Sequence, residues 1–217
     1  MDDPFEPVNR GIYKFNYVVD KAVLKPVTWV YRGVVPQPGQ NMVSHFLENL
    51  FTPVVFVNSV LQADPQNSFA TMWRFILNST FGVAGLFDFA SEAGLKNRST
   101  DLGQTFALWG MKPGPFVELP IMGPSNVRDA FGRLGDAFML PTNYMGATVE
   151  YSVWGATVID QRSQNTKLLD HVYETSLDPY ATFRSGYAQK RVSDIKRARA
   201  ARAKAWQQAV CTENRPQ

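Results

Sequence analysis

Residues 41–62 read NMVSHFLENLFTPVVFVNSVLQ, and their apolar side chains recur every three or four positions. Met42, Phe46, Leu50, Val54, Val57 and Leu61 mark one face of a helix, and Val43, Leu47, Phe51 and Val55 widen it until little polar surface remains. Thr52-Pro53 stands in the middle, where proline removes a backbone donor and crowds the preceding turn, so a kink or a tight hairpin is expected there. Asp64-Pro65 ends the run. A second apolar helix is predicted from Ser68, as its N-cap, through Phe69, Met72, Trp73 and Ile76, with Arg74 as its one charge. A third, shorter apolar helix is predicted over Phe81–Ala90, closing at Gly94. Helices that are apolar nearly all round lie in a core or face lipid. Core burial is the commoner case, but three such helices in a chain of 217 residues bring lipid into contention.

Outward from this region the chain is punctuated by short turns. DPFEPVNR (3–10) sets two X-Pro steps before a helix expected from Asn9 to Leu24, with Ile12, Phe15, Val19 and Val23 on one face. Pro26 is expected to break it, leaving a short piece with Trp29 and Tyr31. Asp101 is placed to cap a helix through Gln104, Phe106 and Trp109, with Gly110 at its left-handed end. GPFVELPIMGPS (114–125) reads as extended chain with at most one short strand, and Ser125 as the cap of a helix with Arg128 and Asp129 in its first turn. Residues 148–177 read as ordinary amphipathic helix, and Asp178-Pro179 sets off a basic terminal helix. The fold class is therefore mainly α: one compact domain of short amphipathic and apolar helices, with little or no β and a basic C-terminal helix. Residues 1–185 are read as the main domain and 186–217 as a basic helical extension and tail.

Composition bounds the function. Hydrophobic residues make up 45% of the chain, aromatics 13%, and charged residues only 19%, against roughly 25% charged in soluble domains. The longest charge-free stretches, 33–47 and 49–63, are fifteen residues each and contain proline; a spanning helix needs roughly 18 or more apolar residues. A membrane relationship must therefore consist of lying on, dipping into or being anchored to the bilayer. The net charge of +3 hides an asymmetry: residues 184–206 carry eight Lys or Arg against Asp194, a balance of +7, and the rest of the chain is at −4. This basic segment, with Arg191, Arg197, Arg199 and Arg202, reads either as a solvated helix or as a docking face for anionic headgroups or an acidic partner. Nucleic acid is not expected as a partner, since the body offers no stacking platform or groove-reading module.

The chemistry of catalysis is missing from the pattern. His45 and His171 have no partner at metal-ligand spacing, and His45 is read as a packing residue. Neither a Gly-x-Ser-x-Gly turn nor a phosphate-cradling loop nor a dinucleotide fingerprint occurs. Two carboxylates can always meet in space, and no particular pair is indicated. Cys211, the single cysteine, reads as a free surface thiol. The chain is not expected to be an enzyme, and no cofactor or metal is called for. Met1-Asp2-Asp3 carries no signal peptide.

Taken in order, DPFEPVNR (3–10), YKFN (13–16), Lys25-Pro26, Phe46 with Asn49-Leu50 and Pro53, Asn58, Leu61-Gln62, RFILNSTFGVAGLFD (74–88), DLGQTFALWG (101–110), GPF (114–116), LP (119–120), GPSNVRD (123–129) and Pro141 resemble the MlaA (VacJ) family of outer-membrane phospholipid-transport lipoproteins. The chain departs from the family pattern at His45, Leu47 and Phe116 and near Gly39. The lipidated cysteine that the resemblance implies upstream is absent, which points either to a trimmed leader and lipobox or to a member without an anchor. The resemblance implies a ring-like helical protein in the inner leaflet of the outer membrane, at its periplasmic face, with an amphipathic channel. Its implied role is to take mislocalised phospholipids from the outer leaflet to a soluble periplasmic lipid-binding carrier, beside a trimeric porin, maintaining lipid asymmetry. A porin-associated structural lipoprotein without lipid passage is the alternative. On this reading Phe46, Asn49, Phe51 and Trp73 belong to the wall of the passage. Asn78, Ser79, Thr80, Gln104 and Thr105 either face the passage or serve as caps and buried hydrogen-bond partners. Pro53, Gly82 and Gly85 are read as hinge points because they sit inside apolar helical stretches.

Overall fold

The computed structural model describes residues 2–213, with side chains described as far as residue 208, so the side chain of Cys211 lies outside the described residues. The first helix, α1 (Glu6–Val19), continues through one π-helical turn, Asp20–Leu24, into α2 (Lys25–Val34). Pro26 does not break it. The wider turn lets the Lys25 N–H reach the Asp20 carbonyl, and proline falls among the first residues of α2, where a missing donor costs little. Helix α3 (Gln37–Leu61) likewise runs unbroken through Pro53, so the expected hairpin does not form. One lost backbone bond is outweighed by the packing of α3 against α4 (Pro65–Thr80). The cap of α4 is Asp64, which accepts from the Asn67 N–H at 3.0 Å, four residues before the expected Ser68.

The predicted helix over Phe81–Ala90 is replaced by a tight loop. Val83, Ala84 and Gly85 have φ of 51°, 58° and 97°, and only α5 (Phe89–Glu92) is helical. The loop folds against α3 so closely that a Cβ on Gly85 would lie 2.5 Å from the Asn49 Cβ. Helix α6 (Leu102–Leu108) is capped by Asp101 as expected. The extended stretch forms a hairpin, β1 (Phe116–Leu119) with β2 (Gly123–Asn126), paired antiparallel from Phe116↔Asn126 to Leu119↔Gly123. Helix α7 (Val127–Met139) is capped by Asn126 rather than Ser125; the Asn126 side chain accepts from the Asp129 N–H at 2.9 Å. A 3-10 turn (Pro141–Tyr144), α8 (Ala147–Gln164), α9 (Thr166–Thr175) and α10 (Pro179–Glu213) complete the chain, and residue 185 falls inside α10.

Contacts between elements close a circuit. Helix α3 touches α7, α7 touches β2, β1 lies on α1, α1 passes through the π turn to α2, and α2 and α3 both pack on α8. Helix α10 braces the circuit against α6, β2 and α9. The N-terminal segment is tied to α10 by Arg10–Asp178 at 2.7 Å and Arg184–Asp3 at 2.8 Å.

The interior is inverted relative to a water-soluble domain, whose buried residues are mainly aliphatic. Among the described residues eight hydrophobic side chains are buried against twenty-five polar or charged ones. Helix α4 shows the pattern plainly. Asn67, Thr71, Arg74 and Asn78, spaced by three or four, are its buried face, while Phe69, Met72, Trp73, Phe75 and Ile76 are exposed. Trp29 and Val34 on α2 and Phe138 on α7 are about three-quarters or more exposed, at 78%, 75% and 75%. No helix of the described residues is long and apolar enough to cross a membrane.

Candidate functional site

A cavity of about 270 Å³ lies between α1, the π turn, the β-hairpin, α8, α9 and α10. Two asparagines on α1 build it. Asn9 and Asn16 are seven residues apart, two helical turns, and so share the face that meets β1. The Asn9 amide donates to the Phe116 carbonyl at 3.2 Å and its carbonyl accepts from the Glu118 N–H at 2.9 Å. Asn16 donates to Glu118 Oε1 at 3.1 Å and to the Leu119 carbonyl at 2.9 Å, and accepts from the Ile121 N–H at 2.7 Å. It thereby pins the hairpin tip, where Ile121 holds a φ of 64° that a β-branched residue rarely adopts.

The lining is polar on one side and apolar on the other. Asn16, Asp20, Glu118, Gln161, Arg162 and Asn165 face Val19, Leu24, Ile121, Met122, Val158, Leu169 and the rings of Tyr13, Tyr173 and Phe183. The rings meet edge to face in series, Tyr17 with Tyr173 at 5.0 Å and Tyr173 with Phe183 at 5.5 Å. Arg162 is buried and held by Asp20 at 2.7 Å and Asp170 at 2.8 Å, with Lys25 on the far side of Asp170 at 3.3 Å. Burial works against the guanidinium charge, but these two carboxylates outweigh it. Glu118 is only 4% exposed. Burial pushes its carboxyl up to about 7, against the opposing pull of the Asn16 hydrogen bond and the charge of Arg133. Burial likewise pushes the Tyr173 hydroxyl up to about 12. Such a lining accommodates a molecule with a charged head and an apolar body. A second hollow, of about 370 Å³, lies where α1 meets the start of α10, and its polar groups are taken up by the Arg10–Asp178 pair.

None of the residues read from sequence as wall, passage, hinge or docking residues borders the cavity. Asn49 donates to the Ser79 hydroxyl at 3.0 Å and the Ala84 carbonyl at 3.4 Å, which anchors the loop carrying Gly82 and Gly85. Asn78 joins Arg74 on Asp88, at 3.0 Å and 2.9 Å, and accepts from the Ala90 N–H at 2.9 Å. Burial would raise the Asp88 carboxyl, but hydrogen bonds from Ser91, Arg74 and Asn78 hold it at about 2. The Thr80 hydroxyl bonds back to its own helix, at the Ile76 carbonyl, 2.6 Å away. Gln104 and Thr105 belong to a separate buried network: Gln62 donates to Thr105 at 2.9 Å, Thr105 to Asn58 at 2.9 Å, and Asn58 to Asp136 at 2.8 Å. Phe46, Phe51 and Pro53 are half-buried on α3, and Trp73 lies on the outward face of α4.

On the basic helix, Arg191 is a buried strut between Asp101 at 2.6 Å and Asp129 at 2.6 Å, which ties α10 to α6 and α7. Arg197 pairs with Asp194, and Arg202 donates to the Leu108 carbonyl at 3.4 Å. Arg199 is exposed. The residues that do build the cavity escaped the motif reading, although YKFN (13–16) supplies Tyr13 and Asn16, and LP (119–120) directly follows Glu118.

The profile of the MlaA lipoprotein family matches residues 1–194. The chain is similar to the intermembrane phospholipid transport system lipoprotein MlaA of Escherichia coli, with 36% identity over 194 residues, 87% of this chain and 76% of that protein. It is also similar to the protein of that name from Haemophilus influenzae, 32% identical over 87% of this chain and 77% of that one. An uncharacterized protein of Rickettsia bellii is 35% identical over 89% of this chain and 76% of its own length. A structure solved in work on the structural basis for maintenance of bacterial outer membrane lipid asymmetry superposes with a TM-score of 0.80 at 32% identity, covering 90% of this chain and 100% of that one. The profile, the relatives and the shared architecture agree, and the chain belongs to the MlaA lipoprotein family.

Proposed function

We propose that this protein is a phospholipid-transport component of the outer membrane, set into its periplasmic leaflet with the apolar surface among the acyl tails. It takes mislocalised phospholipids from the outer leaflet through an amphipathic passage and yields them to a soluble periplasmic carrier, beside a trimeric porin, without chemical change to the lipid. The observation that carries this reading is the inverted interior, with polar side chains buried and aromatic and aliphatic ones turned outward. In water such a surface costs roughly 25 cal/mol for every Å² of apolar area exposed; among lipid tails that cost vanishes. Pulling two acyl chains into water costs on the order of 20 kcal/mol, at about 0.8 kcal/mol per CH₂. A protein already seated among the tails avoids it, needing only a polar route for the headgroup. The cavity at α1, the hairpin and α8 is the natural start of that route, since its size suits a headgroup and its apolar side suits the first methylenes.

The test is native mass spectrometry of the protein taken from its own membrane, with analysis of the lipid that comes with it. Intact phospholipid is expected. A protein that holds a porin but no lipid would support the purely structural role instead, and accumulation of lysolipid would indicate hydrolysis.

A further inference from the structure

We infer that the cavity is selective for the cationic end of a zwitterionic headgroup, the primary ammonium of an aminophospholipid, with Glu118 as its anionic partner. This rests on the reading of the cavity as part of a lipid passage and names the class of lipid that it favours.

Among the buried carboxylates, Asp20, Asp64 and Asp129 each have an arginine within ion-pair distance. Asp160 accepts from the Ser44 hydroxyl at 2.6 Å and lies away from the cavity. Glu118 borders the cavity and has no basic side chain within ion-pair distance among the described residues; Arg133, whose charge reaches it from outside the lining, donates instead to the Met122 and Pro124 carbonyls. Its Oε1 takes the single amide of Asn16, and no donor among the described residues reaches its Oε2. A buried carboxylate in this condition is costly unless something external supplies the counter-charge.

Arg162 cannot supply it: Asp20 takes its Nε and Nη2 donors and Asp170 its Nη2, so two carboxylates already balance its charge and leave only Nη1 open to a headgroup oxygen. The charged lining therefore consists of Asp20 and Glu118 against one arginine already committed, and it leans negative. An ammonium group fits that balance. It would bring hydrogen-bond donors to the free Glu118 oxygen, and the aromatic side chains of Tyr13 and Tyr173 belong to the same lining. An anionic headgroup with a neutral alcohol in place of the amine brings no counter-charge and meets two carboxylates.

The experiment uses the purified full chain in detergent micelles doped with equal amounts of phosphatidylethanolamine and phosphatidylglycerol. It is run at about pH 8, above the value of about 7 that burial gives Glu118. Bound lipid is read by native mass spectrometry. The expected result is phosphatidylethanolamine enriched about fivefold over phosphatidylglycerol relative to supply, falling to the supply ratio in Glu118→Gln and partly kept in Glu118→Asp. Enrichment that survives unchanged in Glu118→Gln, or phosphatidylglycerol preferred by the unaltered protein, overturns the inference while leaving a lipid passage in place. An unaltered protein that binds neither lipid overturns the passage together with it.

Discussion

At the scale of single residues, the fold depends on polar side chains that would be surface groups in a soluble protein. Arg74 is the clearest case: it holds both oxygens of Asp88, at 2.9 Å and 3.0 Å, the Ser91 hydroxyl at 3.0 Å and the Leu95 carbonyl at 2.6 Å. Arg74→Met strips the counter-charge from a largely buried aspartate and should lower stability by about 3–5 kcal/mol. The check is the urea midpoint in detergent; an unchanged midpoint would mean that Asp88 finds its partners elsewhere. Glu118 acts in the opposite sense. A free glutamate gives up its proton near 4.5, but the folded one holds it to about 7. Its favourable contribution is therefore complete below pH 4.5 and lost as pH rises through 7, a swing of about 3 kcal/mol. Asp136, pushed up to about 6 mainly by burial, adds a smaller loss in the same direction. Glu118→Gln should flatten the decline of thermal stability toward neutral pH, leaving the shares of Asp136 and of Glu48, whose carboxyl burial also raises. Parallel curves for the two proteins would refute the burial account. Of these residues Arg74 and Asp88 were legible as motif members, whereas the role of Glu118 was not, since nothing in its neighbourhood of sequence names Asn16 or Asp20 as neighbours.

At the scale of elements, close approach of helices decides the architecture. A Cβ on Gly132 of α7 would lie 2.4 Å from the Gly103 nitrogen of α6, and one on Gly103 would lie 2.4 Å from the Arg191 guanidinium. Two glycines thus let α6 and α7 touch backbone to backbone while α10 locks the pair through Arg191. Gly132→Val forces that contact apart and should cost about 1–3 kcal/mol or more, whereas Gly155→Val on α8 meets nothing within 4 Å. Because valine is a better helix former than glycine, Gly155→Val should be neutral or slightly stabilising in a melting curve, and a loss confined to Gly132→Val separates the contact from propensity. Helix starts were read correctly at Asp101 and at Asp178-Pro179, whereas the caps at Asp64 and Asn126 were assigned to the nearby Ser68 and Ser125. Reading failed at Pro26 and Pro53, because tertiary packing and a π turn absorbed the missing donors, and at residues 81–88, where a loop pinned by Asn49 overrode apolar spacing.

At the scale of the whole molecule, the outward apolar surface is the property that function uses. Replacing Phe69, Trp73 and Ile76 together by glutamine changes only the exposed face of α4. It should weaken partition into phospholipid vesicles by about tenfold or more, since each buried side chain of this kind is worth roughly 1.5–3 kcal/mol, with helical content by circular dichroism preserved. A loss of helicity instead would place these side chains in a packed core.

The sequence alone determined that the chain is mainly helical, that its basic charge gathers on the last helix, and, through ordered motifs, the family to which it belongs. It could not determine which face of each helix is inside. Apolar residues at three- and four-residue spacing look the same whether they pack on protein or lie in lipid, because the pattern records a boundary and not the medium beyond it. Only the tertiary structure decided that Asn67, Thr71, Arg74 and Asn78 point inward. It alone brought together Asn16 with Glu118 and Arg162 with Asp20, partners 102 and 142 residues apart, because burying a polar group requires a partner in space and chain distance carries no trace of that pairing.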